Sequence, residues 1–417
     1  MRGLFVWFAD VLVGHIELLG GEEFNFRYEP QWLTRTGAFA LCEVLPLTDE
    51  TFTLAARIYF GNLLPEGLAR QAVCARLGIS FGNDFALLAA LGRDCAGCIS
   101  IVAEPNPPAR ANKLKHLPKS DLTKFLHGAS AYAAALEEDV RLSLAGAQDK
   151  LAVIVRNDQL FLPLDGSPST HLIKFQNRSF AWLPENEFFV TLLGNACGLD
   201  TVKVKPFVLE GEIHLLVDRY DRASDVDGII RLHQQDFCQG LGLPYTRKYE
   251  GEGGPAFSGC VELVRRVSAH ALADTRALLE WLAFCWIVGN RDNHAKNLSL
   301  VRSLDGQWRL SPFYDLVCTT AYPNLSRTLA FTIGGNSDGG NLPRSAWYGE
   351  AKRLGVSAPY FLKIVSEMRD KVKASLPRVA DSVRERCPKT EAVDAVVRAV
   401  RKGVRAADRS LDVKHGP

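Results

Sequence analysis

One polar segment that directly follows an apolar run constrains the fold of this chain more than any other part of the sequence. Residues 278–288 are mostly apolar and favour a buried helix. Asp292 and Asn297 follow shortly afterwards. Beyond them, apolar residues alternate on both sides of Asp305 and Gly306, which predicts a β-hairpin that turns there. The sequence therefore predicts a polar cluster at a corner between a helix and a hairpin.

The spacing of three side chains in and after this cluster is typical of a centre for phosphoryl transfer. Such chemistry needs one carboxylate that orients the attacking hydroxyl and accepts its proton, and oxygen ligands that hold Mg²⁺ against the phosphates of ATP. A protein-kinase catalytic loop places its Asp five residues before its Asn, as Asp292 and Asn297 are placed here, and Asp315 lies further on. Asp and Asn also cap turns after buried helices, and for this pair alone that interpretation is the more common one.

Two segments upstream favour a nucleotide site. Small residues in 142–150 precede a strand-like run, and such a loop can bring backbone N–H groups close to phosphate oxygens. It has a single Gly and matches neither the Walker nor the kinase Gly-rich pattern, so an ordinary tight turn explains it equally well. In the strand-like segment 169–175, Lys174 stands between apolar residues, where an ammonium is costly unless it meets an anion. Lys174 is therefore a candidate ligand of ATP phosphates.

An acidic partner for Lys174 is available at the start of the next helical pattern. Glu187 precedes the apolar positions Phe188, Leu192 and Leu193. By analogy with the Lys–Glu pair of kinases, Glu187 is predicted to orient the lysine. Compensation of the positive end of a helix by acidic residues is nearly as good an explanation.

Together these segments resemble the HipA toxins, a family of bacterial serine/threonine kinases that belong to type II toxin–antitoxin modules. The similarity extends almost from end to end of the chain. It is carried by residues 143–150, 170–174, 186–187, 217–222, 232–239, 248–255, 289–297 and 312–315. The segment 60–67 also looks like the N-terminal part of full-length family members.

The resemblance implies an α+β chain with a two-lobed, protein-kinase-like fold, in which a mixed α/β N-terminal part precedes a mainly helical C-terminal lobe. It implies a HipA-type N-terminal subdomain in residues 1–105, ending near the Pro-rich segment 103–110. Residues 117–222 would form the nucleotide-binding lobe. Residues 223–417 would form the helical lobe with the catalytic and metal-binding loops. A length of 417 residues agrees with two or three packed units.

Residue roles also follow from the resemblance. Asp292 would be the catalytic base, Asn297 and Asp315 would bind Mg²⁺, and Lys174 would bind ATP phosphates next to Glu187. Asp149, Asp218 and Arg291 depart from the family's usual residues without removing a required group. The remaining nucleotide-binding positions would be Ala145, Gly146, Ala147, Gln148, Asp149, Lys150, Asp218, Arg219, Tyr220, His294, Ala295 and Lys296.

The resemblance further implies that Ser143 is autophosphorylated and that this step inactivates the enzyme. A phosphate would bring up to about two negative charges to a place where the phosphates of ATP must lie. The loop that covers the nucleotide would then leave the site.

The function that the resemblance implies is that of an ATP-dependent serine/threonine-protein kinase toxin. A HipB-like helix-turn-helix antitoxin would hold it in check, and the complex would bind operator DNA. The implied substrate is a translation component such as glutamyl-tRNA synthetase. Two other interpretations stay open: a small-molecule phosphotransferase, and a non-catalytic corepressor that binds the antitoxin.

Composition limits where such a protein can act. The formal net charge of +2 creates no global field typical of a nucleic-acid binder, so any DNA contact must be local. The basic residues of the segment 390–409 could supply one, although a solvated helix face explains them at least as well. Ten scattered cysteines suggest buried thiols in a reducing compartment. No apolar stretch approaches the roughly 20 residues of a membrane span, so a cytoplasmic location is expected, with nucleoid association through antitoxin and DNA.

Overall fold

The computed structural model describes residues 3–108, 113–127, 131–137, 150–176, 180–225, 228–387 and 389–412. Within these ranges the chain packs into two compact units. Unit 1 comprises Met1–Phe175, Leu216–Thr246 and Val301–Gln307, and unit 2 comprises Gln176–Leu215, Arg247–Leu300 and Trp308–Pro417. The three-part division expected from the sequence stays a prediction.

Unit 1 begins with a five-stranded antiparallel sheet in the order β4-β3-β2-β1-β5. In the first strand Leu4 and Val6 are buried, and Leu4 lies opposite Ile16 of the second. The elements are β1 Gly3–Phe8, β2 Val11–Gly20, β3 Glu23–Tyr28, α1 Pro30–Leu33, β4 Thr51–Phe52, α2 Leu54–Gly61, α3 Gly67–Leu77, α4 Asp84–Leu91 and β5 Ile99–Val102.

Residues 54–77 contain two separate helices, α2 and α3. Asn62 follows α2, and its side-chain amide donates to the carbonyls of Ile58 and Leu243, each at 2.9 Å. Pro65 lies between the helices and lacks the N–H that a continuous helix would need at that position. Polar capping and proline together therefore divide the segment.

A second sheet of unit 1 carries Lys174. Four neighbouring strands of this sheet are hydrogen bonded in the order β9-β7-β8-β6. In the antiparallel pair of β7 and β9, Lys150 lies directly opposite Lys174, and Leu151 lies opposite Ile173. The elements are β6 Leu114–His116, α5 Lys119–His127, α6 Ala131–Glu137, β7 Lys150–Arg156, β8 Gln159–Pro163 and β9 His171–Lys174.

The chain passes into unit 2 and returns to unit 1 before residue 247. In unit 2 it forms α7 and a hairpin, and the second strand of that hairpin ends in unit 1. The elements are α7 Leu183–Ala196, β10 Val204–Leu209, β11 Glu212–Asp218, β12 Arg222–Asp225, β13 Gly228–Arg231, β14 Gln234–Asp236 and α8 Phe237–Leu241.

A buried ionic cluster joins distant segments of unit 1. Asp94 has no exposed surface, and its carboxylate lies 2.6 Å from Nη2 of Arg222 and 3.3 Å from Nη1 of Arg219. Arg231 approaches the same carboxylate at 3.3 Å, and Asp221 pairs with Arg219 at 2.8 Å. Burial alone would raise the pKa of the Asp94 carboxyl, but the three arginines outweigh it and hold this pKa below the ordinary value.

The rest of unit 2 is mainly helical. Its central helix, α10, is buried around most of its circumference and packs against α9, α12 and α13. The remaining elements of the chain are α9 Phe257–Val267, α10 Ala271–Val288, β15 Ser299–Arg302, β16 Trp308–Leu310, β17 Thr328–Ile333, β18 Asn336–Asp338, α11 Arg344–Arg353, α12 Ala358–Arg384 and α13 Thr390–Leu411.

Two features of the helices in unit 2 were not predictable from local sequence patterns. Gly403 of α13 lies so close to α10 that a Cβ would fall 1.8 Å from the carbonyl oxygen of Ile287. Helix α12 continues through Pro377 to Arg384, because Val379 and Val383 beyond the proline are buried. Tertiary packing here offsets the cost of proline inside a helix.

The expected hairpin at Asp305 and Gly306 is present between β15 and β16, which are neighbours in one sheet. All ten cysteines lie in the described ranges, where each is buried, as the sequence suggests, and forms no disulfide with another. Among the helices that the structure describes, none has the length and apolar character needed to cross a bilayer.

Candidate active site

The conformation at the end of α10 sets the direction in which the loop with the polar cluster leaves the helix. Gly289 takes a left-handed conformation with φ of 76°, and the next N–H, of Asn290, donates to Cys285 O at 2.8 Å. Thr319 holds the turn from outside, since its hydroxyl donates to Gly289 O at 3.0 Å and accepts from Arg291 N at 2.8 Å. The helix therefore ends abruptly, and the chain turns into the loop that bears Asp292.

Alanine in place of Gly289 should destabilise the protein through a collision. Its Cβ would lie 1.9 Å from Oγ1 of Thr320, in addition to the strain of a positive φ. Gly78 is a matched control, because it also caps a helix with φ of 65° but has nothing within 4 Å of the Cβ position.

We expect Gly289→Ala to lower the free energy of unfolding by at least about 1 kcal/mol more than Gly78→Ala, since overpacking adds to backbone strain. Denaturant titration of the two variants measures this difference. Equal losses of stability in the two variants would show that a Cβ at residue 289 does not collide with Thr320.

Backbone and side-chain hydrogen bonds fix the loop around Asp292. Its N–H donates to Oδ1 of Asn290 at 2.9 Å. Its carbonyl oxygen accepts from His294 N at 2.9 Å and from Nδ2 of Asn297 at 2.8 Å. The amide nitrogen of Asn297 is thus engaged, and its Oδ1 is the atom that can bind a cation. The Asp292 side chain is 49% exposed, so a substrate hydroxyl can reach it.

Tyr249 contacts this carboxylate, a role that the sequence did not indicate. The Tyr249 hydroxyl donates to Oδ1 of Asp292. Its ring meets the ring of His294 edge to face, with centroids 4.9 Å apart. The carbonyl oxygen of Lys248 accepts from Ala295 N at 3.2 Å. The segment 248–255 was part of the family resemblance, but no local pattern pointed to contact with Asp292.

His294 is neutral at physiological pH. Burial lowers its pKa to about 3, and Lys248 and Lys296 contribute in the same direction against the opposing effect of Asp315. Its Nε2 lies 4.0 Å from Oδ1 of Asp292, too far for a hydrogen bond, so this contact is not a charged pair. Its buried Nδ1 has no hydrogen-bond partner among the described residues. A neutral imidazole beside two lysines leaves a cationic lining that suits an anion.

A pH-dependent loss of stability follows from this depressed pKa. An unfolded His takes up a proton below about pH 6.5, whereas folded His294 does so only near pH 3. Between these two values protonation favours the unfolded state, so the free energy of unfolding decreases as the pH falls. Between pH 7 and pH 5, wild type should lose about 2 kcal/mol relative to His294→Gln. Denaturant unfolding of both proteins at the two pH values tests this expectation. Parallel pH profiles would contradict a neutral His294.

Asp315 lies on a loop that two other segments of unit 2 hold. Its φ of 53° is left-handed, a conformation that only local constraint maintains in a non-Gly residue. The neighbouring Tyr314 hydroxyl donates to Lys296 O at 2.8 Å. Asn186 of α7 binds the same loop further on, accepting from Cys318 N at 2.8 Å and donating to Cys318 O at 3.0 Å. Asn186 is a second site residue to which the sequence gave no role.

The donor set fits Mg²⁺ in the presence of phosphates. No group of three or more His, Cys, Asp or Glu that could hold a metal occurs in the described part of the chain. Mg²⁺ usually takes one or two protein carboxylates together with water and substrate phosphate oxygens. One carboxylate, of Asp315, and one amide oxygen, of Asn297, match such an incomplete set. The hydrogen bond from the Tyr314 hydroxyl to Lys296 O joins the two segments that carry them.

The predicted nucleotide residues of unit 1 have mixed surroundings. Lys174 is buried on β9, opposite Lys150. Asp218 lies 3.1 Å from Nε2 of His171. The Tyr220 hydroxyl donates to Gln234.

The side chain of Arg219, another predicted nucleotide residue, is engaged within unit 1. Its guanidinium belongs to the buried cluster with Asp94. Its backbone N–H donates to Thr170 O at 2.9 Å. Any nucleotide contact of Arg219 therefore falls to its backbone carbonyl. Glu187 belongs to unit 2, where it is buried on α7, and its pairing with Lys174 stays a prediction.

The predicted autophosphorylation site and most of the loop beside it lie outside the described residues. These positions are Ser143, Ala145, Gly146, Ala147, Gln148 and Asp149.

Known proteins resemble this chain along most of its length. A family model described as the HipA N-terminal domain matches residues 4–102, and one described as the HipA-like C-terminal domain matches residues 142–376. The kinase-family protein Y4mE of Sinorhizobium fredii (strain NGR234) is 37% identical over 92% of this chain and 93% of its own length. The serine/threonine-protein kinase toxin HipA of Shewanella oneidensis is 27% identical over 79% of this chain and 78% of its own.

The fold is shared as well. The solved complex of HipA, HipB and operator DNA from S. oneidensis MR-1 contains a chain that superposes with a TM-score of 0.84 at 23% identity, covering 98% of this chain and 97% of that one. The expected α+β, kinase-like fold is thereby confirmed. Because the C-terminal model alone matches more than half of the residues, this chain belongs to the HipA family of kinases.

Proposed function

We propose that this chain is an ATP- and Mg²⁺-dependent serine/threonine-protein kinase that acts as the toxin of a HipBA-like toxin–antitoxin system. The observation that carries the proposal is the loop in which the accessible carboxylate of Asp292 is fixed through its own backbone by Asn290 and Asn297. Loop geometry of this kind serves a transfer reaction in which positioning supplies most of the catalysis.

Asp292 is the general base of the proposed reaction. It accepts the proton of the Ser or Thr hydroxyl while the hydroxyl oxygen bonds to the γ-phosphorus and the bond to the bridging oxygen of ADP breaks. Asn297 and Asp315 would hold Mg²⁺, and the bound ion would supply positive charge against the phosphates. Because His294 is neutral, it adds no positive charge next to Asp292. A positive charge there would stabilise the ionised carboxylate and make it a weaker base.

Lys174 binds phosphates of ATP in this proposal, and Glu187 orients it. Lys150 lies directly opposite Lys174 in the pair of β7 and β9, so two cationic residues stand side by side on this sheet. Asp218, Arg219 and Tyr220 supply the backbone against which the adenine binds. Ala295 and Lys296 border the phosphates, with Lys150 and positions 145–149 covering the nucleotide.

The proposed partners follow from the relative in the solved complex, which is bound to HipB and operator DNA. For this chain we propose a HipB-like helix-turn-helix antitoxin and, through it, operator DNA. The proposed substrate is a translation component such as glutamyl-tRNA synthetase. Autophosphorylation of Ser143 switches the enzyme off, because the added charge opposes ATP phosphates.

Controlled expression in bacteria tests the toxin role. Wild type should arrest growth, co-expressed antitoxin should relieve the arrest, and Ser143→Ala should remain toxic while losing the phosphate that mass spectrometry maps in wild type. Normal growth together with phosphorylation of a sugar or antibiotic would favour a small-molecule phosphotransferase. Normal growth without any transfer, but with tighter DNA binding by the antitoxin, would favour a corepressor.

A further inference from the structure

We infer that Tyr249 is a positioning residue for Asp292, and that its hydrogen bond orients the carboxylate toward the substrate hydroxyl. This inference rests on the proposed kinase function. It concerns a contact that lies within unit 2, between the segment 248–255 and the loop of Asp292.

The orientation of the Asp292 carboxylate, whose side chain is 49% exposed, depends on the hydrogen bonds that it accepts. The phenol of Tyr249 donates one of them, to Oδ1. A carboxylate that is held at one oxygen can present the other to the hydroxyl that loses its proton. Misorientation of a reacting group is costly in transfer reactions, because positioning provides much of their acceleration.

The segment 248–255 is built to hold Tyr249 in place. Its turn closes on the backbone of that residue, since Gly254 N donates to Tyr249 O at 2.8 Å and Glu252 N does so at 3.0 Å. A Cβ at Gly254 would fall 2.5 Å from the same carbonyl oxygen, so glycine is required there. The carboxylate of the adjacent Glu250 accepts two hydrogen bonds from Thr332 of β17. One comes from the backbone N–H of Thr332 and the other from its hydroxyl, at 2.9 Å.

The same segment also contacts the loop of Asp292 at two further points. Lys248 O accepts from Ala295 N, and the Tyr249 ring packs edge to face against His294. These contacts do not involve the hydroxyl. Tyr249→Phe therefore removes the hydrogen bond to Asp292 while keeping the backbone anchor and the ring contact, which makes it a sharp test.

The test compares purified wild type, Tyr249→Phe and Tyr360→Phe as full chains with Mg²⁺ and ATP. Tyr360 is a matched control because it is 39% exposed on α12. We expect Tyr249→Phe to lower kcat roughly 10- to 100-fold, the range for loss of a hydrogen bond to a charged group. KM for ATP and Tm should stay close to wild type, and Tyr360→Phe should change none of these.

A pH profile separates orientation from a merely structural role. A hydrogen bond donated to an ionised carboxylate favours that form. The acidic limb of kcat should therefore move to higher pH in Tyr249→Phe. An unchanged kcat would overturn the inference, as would a fall in kcat that a lower Tm or weaker ATP binding accounts for.

Failure of the inference can be distinguished from failure of the kinase proposal. If wild type transfers no phosphate, the proposed function fails. The hydrogen bond is then read by ¹³C NMR titration of the Asp292 carboxyl, whose midpoint should move to higher pH in Tyr249→Phe. An unchanged midpoint would overturn the inference whatever the activity of wild type.

Discussion

Replacement of Asp292 by Asn should lower the rate of phosphoryl transfer by about 10²–10⁴-fold, the usual contribution of a general base. Asn keeps the shape of the side chain and an oxygen that can accept from Tyr249, but it cannot accept the proton of the substrate. The contacts that fix the loop use the backbone of Asp292 and should persist. The measurement is the initial rate of transfer from ATP to protein at saturating Mg²⁺.

Asp370→Asn provides the control for this loss. Asp370 lies exposed on α12 in the same unit and pairs only with Arg369 among the ion pairs of the described chain. Its replacement should leave the rate unchanged. The Asp292 assignment would be wrong if Asp292→Asn kept most of its activity, or if it lost activity together with its nucleotide affinity and its Tm.

Replacement of Asp94 by Ala should lower the free energy of unfolding by about 3–5 kcal/mol, because it breaks a buried ionic cluster from one side. The cluster would then keep one buried carboxylate, that of Asp221. Three arginines would remain beside it: Arg219, Arg222 and Arg231. Removing one partner leaves the other charges uncompensated, which costs more than the pair itself contributes. Denaturant titration followed by tryptophan fluorescence measures the loss.

Asp49→Ala is the matched control for the cluster. Asp49 belongs to the same unit and is exposed, so its replacement should change stability by no more than about 0.5 kcal/mol. A loss below about 1 kcal/mol in Asp94→Ala would mean that the arginines find other partners or water, and that the cluster contributes little to the stability of unit 1.

Local spacing was sufficient to predict a polar cluster between a helix and a hairpin. Asp292 and Asn297 are five residues apart, and a hydrogen bond from Asn297 Nδ2 to Asp292 O joins them. Their roles in catalysis stay predictions. The helix before the two residues and the hairpin after them were predictable for the same reason, since hydrophobic periodicity reports local structure.

The supporting contacts were not predictable, because they join residues far apart in the chain. Tyr249 is 43 residues from Asp292, Asn186 is 132 residues from Cys318, and Asp94 is 125 residues from Arg219. No periodicity encodes such contacts. The division of residues 54–77 into two helices and the continuation of α12 through Pro377 likewise depend on side-chain capping and burial.

Transfer of label from γ-labelled ATP is the most direct test of the central claim. Purified wild type and Asp292→Asn are incubated with Mg²⁺ and a bacterial extract, and the labelled products are identified by mass spectrometry. We predict phosphoserine or phosphothreonine on protein with wild type and almost none with Asp292→Asn. Label on small molecules alone, or equal label on protein with both enzymes, would contradict it.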